Sequence, residues 1–241
     1  MMSSEANTIT ENLRTLHRIH RQLGDLKGRL QRGPRMIVAH DANVQKLETQ
    51  LAAVKEQARA LKFATDEKQN QLATREAMVE KRRGQLRQAS DNREYQALKE
   101  QIAADEMSNS VLTDEILEAM EKLDGLNKRV AEAEAALAHG KEEAQKAHDH
   151  FANESPAIHG DIERLKKELA EYEAALPPDY RDIYHRAVRG KGEEALAPVV
   201  GEYCGGCNQH IPLNEVNKVM LGQPVACRSC GRLLYIAETA T

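Results

Sequence analysis

Ala89-Ser90-Asp91-Asn92-Arg93 is the stretch on which the reading of this chain turns. It separates two arms of about equal length, each a series of mostly apolar residues that steps by seven without a slip. The leading arm runs Ile9, Leu16, Leu23, Leu30, Ile37, Val44, Leu51, Ala58, Thr65, Leu72, Val79, Leu86. The trailing arm runs Tyr95, Ile102, Asn109, Ile116, Leu123, Val130, Leu137, Ala144, Phe151, Ile158, Leu165, Tyr172. Seven-residue periodicity sustained well beyond ~3–4 heptads specifies coiled coil. The phase breaks only at the Ser/Asp/Asn cluster, where Asp91 and Glu94 have the spacing of a helix cap and capping box. Two long helices joined by a short polar turn form an antiparallel hairpin.

Composition agrees. Of 241 residues, 30% are charged and only 3% aromatic, with no Trp, which suits long Ala/Glu/Lys/Leu/Arg-rich helices better than a compact core. The net charge of -4 argues against a polyanion binder by bulk charge. No stretch has the ~18 consecutive apolar residues of a membrane span. The opening Met1-Met2-Ser3-Ser4-Glu5 lacks the basic and apolar regions of a signal peptide. A cytoplasmic location, with no membrane and no small-molecule substrate, is the expectation.

Pairing Leu86 with Leu98 makes facing residue numbers add to about 184. Leu47 then meets Leu137, Leu26 meets Ile158 and Ile19 meets Leu165, while small meets large at Val44 with Gly140 and Gly33 with Phe151. Near the tip the layers turn polar, with Arg75 against Asn109 and Val79 against Asp105, which weakens a seam but fixes its register. The leading helix is expected to start near Thr8 or Thr10 and run to about Arg87, the trailing one from about Asn92 to Leu176. Gly33-Pro34 predicts a break or kink, because proline removes a donor and clashes with the preceding turn. Ser155-Pro156 predicts a stop and restart, since Ser caps and Pro opens helices. The two interruptions fall at one level, as a hinge or as a rigid kink with Phe151 over Gly33.

Beyond Pro177-Pro178, residues 179–188 predict a short helix with Tyr180, Ile183, Tyr184 and Val188 near one face, then a flexible link at 189–192. Strands are expected at 196–200, at Tyr203 and at 233–236, with a helix at 213–220. Within this segment lie all four cysteines, as Cys204-Gly205-Gly206-Cys207 and Cys227-Arg228-Ser229-Cys230-Gly231. Two CxxC pairs separated by ~15–20 residues have the spacing of a four-cysteine zinc site. Each pair puts two thiolates on one side of a metal, and two pairs complete a tetrahedron with no open position, a structural arrangement. An iron site with the same ligands and a redox dithiol are the alternatives. His210, three residues past Cys207, is surplus to the shell and is expected on the surface or in a strand.

No Ser-His-Asp set, phosphate loop or paired-carboxylate pocket stands out. Basic residues gather at Lys81, Arg82, Arg83, Arg87 and Arg93 by the turn. A second group comprises Arg181, Arg186, Arg189 and Lys191, with Lys218, Arg228 and Arg232 of the cysteine segment. Either could meet phosphates or an acidic protein, though a charge run is more often a solvated face.

The chain resembles the bacterial C4-type zinc-ribbon family with a long N-terminal coiled-coil hairpin. The resemblance rests on Asn92-Arg93-Glu94-Tyr95-Gln96-Ala97-Leu98, on Gly201 through Cys207, and on Cys227-Arg228-Ser229-Cys230-Gly231-Arg232-Leu233-Leu234-Tyr235. It implies a mainly α fold: a long antiparallel coiled-coil hairpin over 1–176, a short helix and linker over 177–195, and a small C-terminal β zinc ribbon over 196–241. It also implies one zinc per chain held by Cys204, Cys207, Cys227 and Cys230, and no enzymatic activity. Members resemble regulators that bind an alternative sigma factor, touch flagellar or secretion components and, in one case, bind messenger RNA through the ribbon. Two functions follow as expectations. One is a non-enzymatic adaptor bridging protein partners, transcription-associated, with Tyr180, Arg181, Arg186, Arg228 and Arg232 as partner-binding residues. The other is a nucleic-acid-binding regulator acting through the ribbon and its arginines. A purely structural spacer is a third option.

Overall fold

The computed structural model describes residues 2–237. Both arms are single helices: α1 spans Met2–Leu86 and α2 spans Asn92–Ala174, 85 and 83 residues long. Between them the chain turns at 87–91. Asp91 caps α2 as its sequence suggests, its Oδ1 accepting from the Arg93 amide at 3.3 Å.

The chain divides into two compact units, residues 37–146 and residues 1–36 with 147–241. The expected register holds inside each. In the first, Arg75 donates to Ser108 Oγ and Lys68 pairs with Glu115, numbers that add to nearly 184. The Leu47 side chain occupies the space beside Gly140. The polar layers are present: Asn109 is buried and its Oδ1 has no partner among the described residues. In the second, Asn12 donates to the Tyr172 carbonyl, and Ile19, Leu23, Ile158, Ile162 and Leu165 form one cluster.

Neither proline interrupts its helix: α1 runs on through Gly33-Pro34, and the stop and restart expected at Ser155-Pro156 does not occur. A mid-helix proline costs ~3 kcal/mol. Each well-buried aliphatic side chain contributes ~1.5–3 kcal/mol. Ile158, Ile162 and Leu165 just beyond Pro156 therefore hold the helix through it. At Gly33 the Phe151 ring packs so closely that an added Cβ would lie 2.2 Å from it. The helix ends differ slightly too: α1 begins at Met2 instead of near Thr8, and α2 stops at Ala174.

Helix α3 spans Pro178–Lys191, with Pro178 in the first position favoured for proline. It overruns the link expected at 189–192: Arg189 and Lys191 form its last turn, and a 3-10 turn follows at Gly192–Glu194. Basic residues there suit the negative end of the helix. Then come β1 (Leu196–Val200), β2 (Tyr203–Cys204), helix α4 (Leu213–Met220) and β3 (Leu233–Ile236). The sheet order is β2-β1-β3, with β1 antiparallel to β2 and parallel to β3.

Two apolar clusters fix this segment. Leu13 and Leu16 of α1 and Leu176 pack with Tyr180, Tyr184 and Ala187 of α3 and with Leu196 and Leu233 of the sheet. The C-terminal module therefore sits against the start of α1, as an antiparallel return demands. Its own core joins Ala197, Val199, Ile211, Val216, Val219, Val225 and Leu234 to Cys204 and Cys227. Among the described residues no helix is long and apolar enough to cross a membrane.

Candidate metal centre

The two CxxC segments fold as near copies of one turn. In the first, the Asn208 amide donates to the Cys204 carbonyl and the Cys204 amide to the Gln209 carbonyl. In the second, the Gly231 amide donates to the Cys227 carbonyl and the Cys227 amide to the Arg232 carbonyl. The residue after each second cysteine lies in the left-handed region, Asn208 at φ 58° and Gly231 at φ 75°. Glycine and asparagine are the residues that tolerate it. Gly205 and Gly206 meet a steric demand. A Cβ on Gly205 would lie 2.8 Å from Pro198 Cγ, and one on Gly206 2.6 Å from Arg232 Cδ.

These turns bring all four sulfurs within 4.8 Å of one another. Cys204 and Cys230 Sγ are 3.8 Å apart, as are Cys207 and Cys227 Sγ. A tetrahedral site with metal–sulfur bonds of ~2.3 Å has edges of about 3.8 Å, so the spacing fits a metal ion directly. It is far longer than the ~2.05 Å of a disulfide. Burial pushes the Cys204 thiol up to about 12, against the pull of the Gly206 and Cys207 amides. At Cys230 burial also opposes ionisation, but the amide and guanidinium of Arg232 prevail and bring it down to about 7. A bound cation would deprotonate such thiols outright. The four cysteines can thus hold one metal ion as a closed set of soft donors. His210 stands apart, exposed, with Nε2 3.2 Å from Glu202 Oε2.

The expected partner-binding residues do not form one exposed patch. Tyr180 is buried in the cluster against α1, which corrects its expected exposure. Arg181 donates to the carbonyls of Ala174 and Leu176, closing the end of α2. Arg232 is largely buried and donates to the carbonyls of Glu194 and Gly206 while pairing with the Glu194 carboxylate. Arg228 pairs with the buried Glu215 of α4 but remains mostly exposed. Arg186 is exposed on α3. By the turn, Arg82 pairs with Asp105 and Arg83 with Glu80 and Glu106, so much of that basic cluster is neutralised locally.

Sequence reasoning missed the polar joints between the module and the hairpin. His17 Nδ1 lies 2.7 Å from the Tyr235 hydroxyl, and the Arg14 guanidinium donates to the Ile236 carbonyl. The Tyr184 hydroxyl donates to Glu173 and lies 2.7 Å from His20 Nε2. His17 and His20 interrupt the apolar face of the first arm close to Leu16 and Ile19, the one signal that marked them.

Fold and site together define a helical-hairpin protein with a small C-terminal sheet module whose four clustered cysteines could hold a metal ion. Three solved structures share the fold. CT398 from Chlamydia trachomatis superposes with a TM-score of 0.68 at 14% identity, over 98% of this chain and 100% of that one. The HP0958 protein from Helicobacter pylori gives 0.57 at 15% identity, over 97% and 99% of the two chains. A protein from Mycobacterium smegmatis gives 0.52 at 18%, over 95% and 98%. No family model and no curated protein matches the sequence.

Proposed function

We propose that this protein is a non-enzymatic, zinc-stabilised adaptor of the cytoplasm that bridges protein partners, one of them transcription-associated. The observation that carries the reading is the closed four-sulfur set at tetrahedral-edge spacing. Four soft donors favour zinc and leave no coordination position for a substrate or an activated water. The metal's work is then to fold a module whose core includes Cys204 and Cys227. That module is anchored to the start of a long helical hairpin, and helices of this length offer exposed faces for partners. The transcription-associated partner, an alternative sigma factor or a secretion component, comes from the resemblance carried by residues 92–98 and the two CxxC segments. The nucleic-acid reading is weaker, because Arg181 and Arg232 are spent on backbone carbonyls.

Elemental analysis and affinity capture from the native cytoplasm test this. One zinc per chain is expected, and Cys227→Ser should lose it. The variant should disorder the module from about Leu196 onward and barely change the helical signal, which α1 and α2 dominate. Small metal modules couple binding to folding, with ~10–16 kcal/mol at stake. Partner capture should fall with the metal. Iron, or no metal, overturns the zinc assignment, and a parent chain that captures no protein overturns the adaptor reading.

A further inference from the structure

Beside the metal module, the start of the hairpin carries a basic cleft that the metal centre does not use. On α1, Arg14 lies three and four residues before His17 and Arg18, and Arg21 four and three residues after them, so the four share a face. Arg164 of α2 lines the same opening, and Pro198 and Tyr235 of the sheet form the opposite wall of a cleft of about 770 Å³. Among the described residues lining it are four arginines and two carboxylates, Asp25 and Asp161, with Glu168 paired to Arg18 at its edge, in a chain whose net charge is -4. Between the charges lie the aliphatic side chains of Leu26 and Leu165.

Three of the cations, Arg18, Arg21 and Arg164, are available. Arg18 and Arg164 pair with Glu168 and Asp161 through side chains that are 59% and 68% exposed, and such surface pairs are worth only ~0–1 kcal/mol. Arg21 forms no ion pair with a described residue, and it lines both this cleft and the adjoining one that reaches Arg232. Its field is felt nearby. His17 is lowered by burial and then by Arg21, and the burial-raised Tyr235 is pulled back by Arg14 and Arg21.

We propose that this cleft docks an acidic, leucine-bearing segment of a partner protein. The proposal rests on the adaptor reading above and names the chemistry of one partner. Guanidinium forks match carboxylates with two parallel hydrogen bonds, and incoming Asp or Glu can replace Glu168 and Asp161 on Arg18 and Arg164. An apolar side chain of an extended segment can reach Leu26, which is only half-buried, while Leu165 beneath it belongs to the hairpin core. The arginine face from Arg14 to Leu26 rises about 18 Å along the helix, the reach of roughly six extended residues. Single-stranded nucleic acid requires open aromatic faces for base stacking. The two aromatic rings lining this cleft are occupied with each other: Tyr235 is 8% exposed, and the half-buried His17 packs edge-on against it and holds its hydroxyl.

Fluorescence anisotropy with the zinc-loaded full chain at about 50 mM salt tests the proposal. The probes are a labelled twelve-residue peptide alternating Glu or Asp with Leu, its Gln/Asn counterpart, and a twelve-nucleotide oligouridine. The acidic peptide should bind at least about tenfold more tightly than the amide peptide. Arg21→Glu should weaken it by about tenfold or more and Arg21→Gln by less, while Arg59→Glu, an exposed position of α1 within residues 37–146, leaves it within about twofold. Arg21 is exposed and forms no ion pair with a described residue, so zinc content and helicity should be unchanged in both Arg21 variants. No binding of the acidic peptide, binding indifferent to Arg21→Glu, or Arg21-dependent binding of oligouridine in preference to the peptide overturns the proposal. If the peptide fails while the parent still captures a protein partner, the cleft assignment falls and the adaptor reading stands. If the peptide binds through Arg21 while no protein is captured, the adaptor reading falls instead.

Discussion

Gly33 and Gly125 are both helical glycines, yet the same added methyl group should affect them with opposite sign. Alanine is favoured over glycine in a helix by ~1 kcal/mol. At Gly125 an added Cβ meets nothing within 4 Å, so Gly125→Ala should stabilise by roughly that amount. At Gly33 the Cβ would sit 2.2 Å from the Phe151 ring, and neither helix can yield without disturbing its seam. Overpacking of that kind costs ~1–3 kcal/mol, enough to cancel or exceed the propensity gain. Thermal melts followed by circular dichroism should place Gly33→Ala below the parent and Gly125→Ala above it. Equal gains in both variants would mean that Phe151 does not occupy the space over Gly33.

At the scale of the element, the pairing of the two arms is a matter of register. Within residues 37–146, Leu47 fills the space beside Gly140, and Lys68 and Arg75 find Glu115 and Ser108. Cysteines replacing Leu47 and Leu137, in a chain whose native cysteines are serines, should crosslink under mild oxidation. Cysteines at Leu47 and Leu123 should not, because the two levels are about 21 Å apart along the helix. Crosslinking of the second pair in place of the first would refute the register. The buried Asn109 and Thr65 support a unique alignment, since a polar group in a seam tolerates few neighbours.

At the scale of the whole molecule, cooperation between segments distant in sequence depends on a buried polar chain. His20 of α1, Tyr184 of α3 and Glu173 of α2 are linked by contacts of 2.7 Å. Burial lowers the His20 pKa below 6.5, with Glu173 and Glu193 opposing and Lys27 assisting. The unfolded chain therefore takes up a proton near its ordinary pKa that the folded chain resists. Stability from this source is full above pH about 6.5 and is lost as the pH falls through the folded value. Urea unfolding at about pH 7.5 and 5.5 should show a lower midpoint in acid, and His20→Gln should flatten part of that difference. The comparison between parent and variant separates His20 from His17, whose pKa burial also lowers. A parent and variant with identical pH dependence would remove His20 from the account.

Local pattern was enough for the two arms, their turn at Asp91, their register and the two CxxC turns, because each is set by periodicity or by spacing along the chain. The strands at 196–200 and 233–236 and the helix at 213–220 were legible for the same reason. The sequence misled where a local penalty met a distant gain. Pro34 and Pro156 read as breaks because the packing partners that carry the helices through them lie more than a hundred residues away. Tyr180 and Arg232 read as exposed binding residues, but tertiary contacts use them as core and cross-brace, while Arg181 stays exposed and also closes the end of α2. Likewise Arg14, Arg18 and Arg21 looked like an ordinary solvated face until the fold set Arg164, Pro198 and Tyr235 around them. The sequence by itself determined which helices form and which cysteines could meet. Only the tertiary structure decided which charges and rings are left for a partner, since burial is a property of neighbours and not of the residue.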